Sequence, residues 1–466
     1  MPNLMHTLPV ELVRPVLEAE ILDRTDIRSC ALVNRIFHAE AVAVLYRNID
    51  LGHIIMRDGP HDQPELVHPC ATILQKPWYG KHVQHFSESS DVATVDPTLL
   101  IDFLTALRLC TNLRSFTWTF PHDAPASRAE RVLLEYLAVL RRLRVPRLDI
   151  CGVKGALGAQ VLTRLMYMGD VASIGVQTHG SDIVRAESMA AALRERLRHL
   201  EFSGRDIGSR SYVPLFSRLS GLRSLTLRNA TTRDVLEIVA VLPALTVLDT
   251  HFLPCEGPEP RASPPACKLQ RLTVYVAGQA LRRLWTWLPQ LVPNPGLLSL
   301  SVRNHSAADA PAVSARNWAV APTFLKRVAR IHAATLQELA FDAMYMTPRD
   351  LSFVCGSFIA LERLMCHLTM HDMDTVGEAI CGAHELRHLS VYFKSRLPRG
   401  VAMRCAERWL RREGSKLEYV TLRHDVFQGC WVYREPSDTH PGGAYYMIVR
   451  SQMDRSVYKP MAVRYT

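Results

Sequence analysis

The sequence has no apolar stretch approaching the roughly 18 residues needed to span a bilayer, no paired CxxC motif and no low-complexity tract. Its first residues, MPNLMHTLPVEL, lack a basic region followed by an apolar run. No secretory leader is therefore expected, and the expected location is cytosol or nucleus. Eleven cysteines are scattered singly from Cys30 to Cys430, which fits reduced and mostly buried thiols better than a disulfide framework. Motifs that carry catalysis gain no support either: there is no GxSxG, and the one HExxH match, HELRH (384–388), runs into the strand motif that starts at Leu386 and so does not set its two His on one helix face. GVKGALGA (152–159) has neither a dinucleotide fingerprint nor the Lys-Ser/Thr ending of a phosphate loop, and it reads as a turn. CHLTMH (366–371) and CGAH (381–384) bring His367, His371 and His384 near two cysteines in sequence. Cys366, however, falls where an inward apolar side chain is wanted, so no metal site is expected. No enzyme class gains support, and neither catalytic residues nor a cofactor are expected.

What is present is a folded-protein composition, with 48% hydrophobic and 21% charged residues over 466 positions. A chain of that length exceeds one ordinary core, so it must hold several domains or a repeat that grows along one axis. The formal charge of +10 is uneven. Residues 1–50 hold five Arg against seven Asp or Glu, hence −2, which leaves +12 for the rest. A basic excess of this kind fits a nucleic-acid or acidic-protein partner, or simply a solvated basic surface, because the Arg residues are dispersed.

After residue 80 one pattern recurs: apolar, two variable, apolar, variable, apolar. The clearest copies are LRHLEF (197), LRSLTL (222), LQRLTV (269), LLSLSV (297), LQELAF (336) and LRHLSV (386). Weaker copies are VQHFSE (83), LRSFTW (113), VPRLDI (145), VASIGV (171), LTVLDT (245), LERLMC (361) and LEYVTL (417). Successive starts lie 30, 32, 26, 26, 25, 23, 24, 28, 39, 25, 25 and 31 residues apart, mostly in or near the period of a leucine-rich repeat. The alternation at positions four to six is a short strand with one buried side, and helical periodicity follows it. Thr231 with Asp234 resembles a capping box, and Val235, Ile238, Val239 and Leu242 share a face. Thr347 is placed to cap a helix that Pro348 opens. Such a unit cannot bury its own apolar face, so neighbours must stack into a solenoid with parallel strands on the concave side and helices on the convex side. A doubly wound open sheet shares the alternation but not thirteen copies of one strand motif. The repeats are irregular, since the usual Asn or Cys after the strand is replaced by Arg205, Ala230, Leu253 and His305. Two insertions, 253–268 and 303–322, read as surface loops.

Residues 8–50 lack the strand motif and read as three short helices: about Val10 to Leu22, one opening near Thr25 or Asp26, and about Asn34 to Tyr46. Leu8-Pro9, Glu11-Leu12, Leu22-Asp23, Asp26-Ile27, Leu32-Val33, Arg35, Phe37 and Leu45-Tyr46-Arg47, in that order, resemble an F-box, in the F-box-like form of large fungal families. HVQHF (82–86), preceded by Pro77 and Gly80, resembles the entry into the leucine-rich region of those proteins. Pro15 departs from the pattern by standing inside the first helix, where it shortens or kinks it. The fold class expected is α/β: a three-helix F-box-like segment (1–52), a helical linker or N-terminal cap (53–82), an irregular leucine-rich-repeat solenoid of about 13 repeats (83–423) and a C-terminal cap (424–466).

The resemblance implies a substrate-receptor subunit of a cullin-RING ubiquitin ligase of the SCF type. The F-box would dock on a Skp adaptor, and through it a cullin, while the repeats hold an unidentified target protein. Carried over by position, the adaptor-facing residues are Leu8, Pro9, Leu12, Ile27, Leu32, Val33 and Phe37. A segment this small cannot bury all its apolar residues, so a partner must cover the surplus, unless they pack on the first repeats as a cap. For the target, positions three, five and seven of each strand motif face the concave side. Early repeats place Ser115, Thr117, Thr119, Ser224, Thr226 and Arg228 there. Later repeats supply Arg, Tyr and His, the first two of which dominate interface energetics: Arg271, Tyr275, Arg303, Arg363, His367, His388, Tyr392, Tyr419 and Arg423. A monomer outside the complex is expected, with no membrane partner. A ligase-independent scaffold is the alternative, and a nucleic-acid binder a weaker one, since basic and aromatic residues are not interleaved in a nucleic-acid module.

Overall fold

The computed structural model describes residues 9–18, 22–51, 55–58, 64–89, 96–120, 125–154, 161, 164, 173–179, 194, 197–205, 212–255, 267–276, 281–304, 318–369, 373–393, 399–422, 425–434 and 443–452. The chain divides into two units, Met1–Asp206 with Arg210–Leu222, and Arg223–Thr466 with Ile207–Ser209.

In the first unit, helices α1 (Val10–Leu17), α2 (Arg24–Cys30) and α3 (Arg35–Arg47) run into strand β1 (Asn48–Asp50). The second helix starts earlier than the Thr25 or Asp26 signal suggested. Asp23 is the cap, accepting from the backbone of Thr25 and Asp26 while Asp26 returns the bond, a reciprocal pair that satisfies orphan donors at both residues. Asn34 caps α3 by accepting from Ile36 and Phe37. The first helix stops at Leu17, five residues short of the expected Leu22. Pro15 lies inside it and cannot donate back to Glu11, and the helix ends within one turn's reach beyond it, with the Glu18 backbone donating to Arg14 at 2.9 Å.

The stretch 53–82, expected to be helical, also contains an antiparallel hairpin, β2 (Ile55–Asp58) with β3 (Pro64–Val67), ahead of α4 (Pro69–Gln75) and a 3₁₀ turn (Pro77–His82). Strands β4 (His85–Glu88), β5 (Ser115–Thr119), β6 (Arg147–Lys154), β7 (Ser173–His179) and β8 (His199–Arg205) then pair in sequence order, all parallel, with β1 joined in front of β4. Helix Ala126–Leu143 lies over β5, its Tyr136 ring 5.1 Å from Phe116 and 5.4 Å from Trp118.

In the second unit the parallel strands are β9 (Ser224–Arg228), β10 (Val247–Phe252), β11 (Arg271–Val276), β12 (Ser299–Asn304), β13 (Glu338–Met346), β14 (Arg363–Leu368), β15 (His388–Phe393) and β16 (Tyr419–Leu422). An antiparallel pair, β17 (Asp425–Arg434) and β18 (Gly443–Gln452), continues from β16. Every one of the motif copies becomes a strand, and each strand from β4 to β16 begins on the third residue of its motif. The first, fourth and sixth positions turn inward. Leu222, Leu225 and Leu227 are fully buried, as are Leu361 and Cys366. Helices cover this inner side: Trp287 of Leu281–Leu291 sits 5.5 Å from Phe252, and Trp285 lies 6.2 Å from Phe341. Thr231–Asp234 and Thr347–Asp350 form the two expected capping boxes. This is a leucine-rich-repeat fold.

One part of an expected surface loop is not at the surface. Residues 305–317 of the insertion lie outside the described residues, but Ala319 bridges to Tyr345 and Val320 is buried. Tyr345 donates to Trp318 at 2.6 Å, and the Trp285 indole donates to Ala319 at 3.2 Å. This extra pairing lengthens β13 and shifts its register against β14 between Ala340 and Tyr345. Likewise 256–266 and 155–160, in the Pro-rich insertion and the glycine-containing turn, lie outside the described residues.

Candidate functional site

The three N-terminal helices enclose a small core of Val13, Leu17, Ile27, Phe37 and Ala41, with Leu22 and Leu45 packed against it. Helix α1 has two apolar pairs at helical spacing. Val13 and Leu17 point in, while Leu12 and Val16 remain 49% and 47% exposed. The turn between α2 and α3 leaves Leu32 87% exposed and Val33 47%, and Ile36, in the first turn of α3, is 46% exposed. Among the described residues these five are most of the large exposed apolar side chains. Pro9 is exposed beside them in sequence, and Leu8 lies outside the described residues.

Two of the expected adaptor-facing residues lie in the segment's interior. Ile27 and Phe37 are buried in the segment's own core, because Ile27 is opposite the solvent side of α2 and Phe37 shares a helix face with buried Ala41. Val16 and Ile36 are on the outer surface instead. The i, i+4 pairing of Leu12 with Val16 was the available signal for the first. The other end of the segment is tied to the repeats: the Tyr46 ring lies 4.8 Å from Tyr79, the backbone of Gln84 donates to Arg47, and Ile49 pairs with Phe86. Exposed Arg14, Glu18 and Arg47 form a surface ion cluster, Glu18 accepting from both guanidiniums.

The second surface is the face of the second unit's sheet turned away from the helices. Register aligns its side chains in rows across the strands. The first row is Arg271, Ser299, Glu338, Arg363, His388 and Tyr419. The middle row, two residues along, is Thr273, Ser301, Ala340, Met365, Ser390 and Thr421. The third row has Tyr275 beside Arg303 and, after the shift in β13, Tyr345 beside His367 and Tyr392. Eight of the nine expected target residues are therefore brought onto one face, and Arg423 lies outside the described residues. Tyr345 was missed, because the motif places Asp342 at that position and only the insertion's pairing displaces it.

Ring contacts knit the rows together. His388 stacks on Tyr419 at 4.9 Å and His367 on Tyr392 at 4.8 Å, with Tyr345 edge-on to His367 at 6.0 Å. Burial lowers the His388 imidazole from its ordinary range, and the nearby Arg363 guanidinium adds to this, so the stacked ring favours its neutral form. Among the carboxylates, Asp249 pairs with Arg228 at 2.8 Å, Glu338 accepts from the Ser299 hydroxyl at 3.1 Å, and Asp342 lies 3.5 Å from the His367 imidazole. Arg228 also sits over the Tyr275 ring at 4.8 Å. A further basic surface, in the first unit, is an open depression bordered by Arg141, Arg142, Arg144 and Arg164.

Among the described residues no group of His, Cys, Asp and Glu could hold a metal, and no helix is long and apolar enough to cross a membrane. His371 lies outside them. The thiols of Cys70, Cys110 and Cys366 are fully buried, and burial pushes Cys110 up to about 12, which makes it inert as a nucleophile.

No protein-family model and no curated protein matches the chain by sequence. Solved structures show a distant similarity. One chain of the Rad7–Elc1 complex of yeast is similar over 85% of this chain and 85% of its own, at 12% identity and a TM-score of 0.37. The leucine-rich-repeat protein LIC12759 of Leptospira interrogans is similar over 76% of this chain and 86% of its own, at 11% identity and a TM-score of 0.31. A chain of the Toll–Spatzle complex of Drosophila is similar over 82% of this chain and 55% of its own, at 12% identity and a TM-score of 0.30. The leucine-rich-repeat fold rests on the strand register of this chain itself.

Proposed function

We propose that the chain is a non-catalytic substrate receptor of an SCF-type ubiquitin ligase. Its N-terminal helices dock on a Skp adaptor, which links it to a cullin, and the open sheet face of its repeats holds a target protein. The observation that carries this reading is the surplus on the helical segment: its core is already filled by Val13, Leu17, Ile27, Phe37 and Ala41, yet Leu12, Val16, Leu32, Val33 and Ile36 stay outside. Exposed apolar residues concentrated in so short a segment mark an interaction surface. The F-box-like order of the segment's residues, Leu12, Leu32 and Val33 among them, supplies the kind of partner. Binding of the purified full chain to a purified Skp adaptor, measured by calorimetry, tests it. A complex that is lost in the Leu32→Ser/Ile36→Ser variant supports the reading, and absence of any complex with the folded wild-type chain overturns it.

A ligase-independent scaffold is favoured by a different observation, the joining of β1 to β4 and of Tyr46 to Tyr79, which lets the N-terminal segment act as a cap on the repeats. The two roles use different residues of the segment. The scaffold reading gives full target binding and no adaptor complex in the same calorimetric experiment.

A further inference from the structure

The open face of the second unit has relief across its strands. Its middle row is built mostly of small side chains, and Ser301, Ala340 and Thr421 are buried there although no strand or helix lies over them among the described residues. The rows on either side carry longer side chains, Arg271, Arg363, His388 and Tyr419 on one and Tyr275, Arg303, His367 and Tyr392 on the other. The rows on either side are four residues apart along the strands, about 13 Å between backbones at ~3.3 Å per residue. The floor between them therefore forms a trough running perpendicular to the strands.

Width and charge select the occupant. An α-helix with its side chains is about 10–12 Å across, too wide once the wall side chains have taken their share of the opening. An extended segment fits. Five strand spacings from β11 to β16 make a trough about 24 Å long at ~4.8 Å each, the reach of about seven extended residues. Hydroxyls of the half-buried Thr273 and Ser390 lie along the floor and can bond a peptide backbone. On the walls, the carboxylates already have polar neighbours, whereas Arg271, Arg303 and Arg363 have no ion-pair partner among the described residues. Among the described residues, Arg303 donates from its Nε to the Ser301 hydroxyl, at 3.0 Å. Guanidiniums left in this state recognise carboxylates.

We propose that this trough binds an extended acidic segment of the target, laid across β11–β16, with its carboxylates on Arg271, Arg303 and Arg363 and its apolar side chains against the stacked rings of His367–Tyr392 and His388–Tyr419. The proposal rests on the reading of the chain as a receptor whose sheet face holds the target, and it names the chemistry of what is held.

The test is selection of a random dodecapeptide display library on the immobilised full chain, followed by affinity measurement on the enriched peptides by fluorescence anisotropy. Three variants accompany the wild type: Arg271→Ser/Arg303→Ser/Arg363→Ser, the charge-keeping triple Arg→Lys, and Ser390→Tyr, which raises the floor. The expected result is enrichment of acidic peptides. Their affinity falls by at least about tenfold in the Ser triple, as loss of charge-assisted hydrogen bonds requires, recovers in part in the Lys triple, and falls in Ser390→Tyr. Circular dichroism of each variant keeps a folding defect from counting as loss of binding. Enrichment without acidic excess, no enrichment at all, or acidic peptides that bind the Ser triple as tightly as the wild type overturns the proposal. Adaptor binding is measured on the same preparations, which separates the two ideas. Adaptor binding without acidic-peptide enrichment rejects the trough alone, whereas peptide binding without adaptor binding rejects the ligase role alone.

Discussion

Leu32→Ser and Ile27→Ser lie five residues apart in the same helical segment, and the structure assigns them opposite consequences. Leu32 is 87% exposed. Burying a whole leucine side chain is worth about 1.5–3 kcal/mol, so its exposed part can still contribute about 1.3–2.6 kcal/mol when a partner covers it. Its removal should leave the chain's own stability within about 0.5 kcal/mol of wild type, as for an isolated surface change. The same removal should weaken an adaptor complex by about 10- to 80-fold. Ile27 is 7% exposed and packs in the core with Val13, Leu17, Phe37 and Ala41. Ile27→Ser removes packed methyl groups and buries a hydroxyl, at a cost of about 2–5 kcal/mol. Urea denaturation followed by circular dichroism reads the stability of each variant, and calorimetry with the purified adaptor reads the binding. Two results would refute the reasoning: destabilisation by more than about 1 kcal/mol in Leu32→Ser, beyond what a surface substitution costs, or unchanged adaptor affinity in the folded variant.

Asn34→Ala removes the side chain that accepts from Ile36 and Phe37, both at 2.9 Å, and should cost about 1 kcal/mol by denaturant titration. Gly80→Ala should cost more, about 1–3 kcal/mol, because the added Cβ would come within 2.6 Å of the Leu109 carbonyl oxygen, backbone that cannot swing aside. The His332 imidazole is buried, donates from Nε2 to the Val292 carbonyl at 3.1 Å, and has its pKa lowered by that burial. The unfolded chain therefore takes up a proton first. Stability is held above the unfolded value near 6.5 and is lost as pH falls below it. His388 acts in the same direction, so His332→Gln should flatten the pH dependence of unfolding between pH 7 and 5 without abolishing it. An unchanged slope in that variant would count against the assignment.

The repeat strands were readable because their pattern is doubly constrained. A period of two within LRSLTL and a recurring start every few tens of residues cannot both arise in a helix, and β4–β16 begin where that pattern puts them. The N-terminal segment had no such redundancy. Leu12 with Val16 and Val13 with Leu17 are both apolar pairs four residues apart on one short helix, and composition does not say which pair faces the core. The burial of Ile27 and Phe37 was not legible for the same reason: in a three-helix segment an apolar residue serves the core or a partner equally well, and only packing decides. Tyr345 was hidden for a different reason. Its place beside His367 depends on residues 318–320 pairing with the end of β13, a contact far from both in sequence.

The missing turn residues of these repeats have a structural counterpart that explains why irregularity is tolerated. In the second unit, the carbonyl of the second motif residue accepts two N–H groups from the next repeat. Arg223 accepts from Thr246 and Val247, Thr246 from Gln270 and Arg271, Gln270 from Leu298 and Ser299, and the series runs on through Leu298, Gln337, Glu362 and Arg387. The ladder is made by backbone alone, so the residue at that position is free to be Arg, Thr, Gln, Leu or Glu. It also ties each strand's start to its neighbour's, whatever the length of the helix and loop between them. The 39-residue interval before LQELAF is thus accommodated with Leu300 still opposite Leu339. Where backbone sets the register and inward apolar residues set the core, the third and seventh positions are those that folding constrains least. Neither strand pairing nor core packing requires Arg, His or Tyr on that face, and the proposal that a target binds there accounts for them.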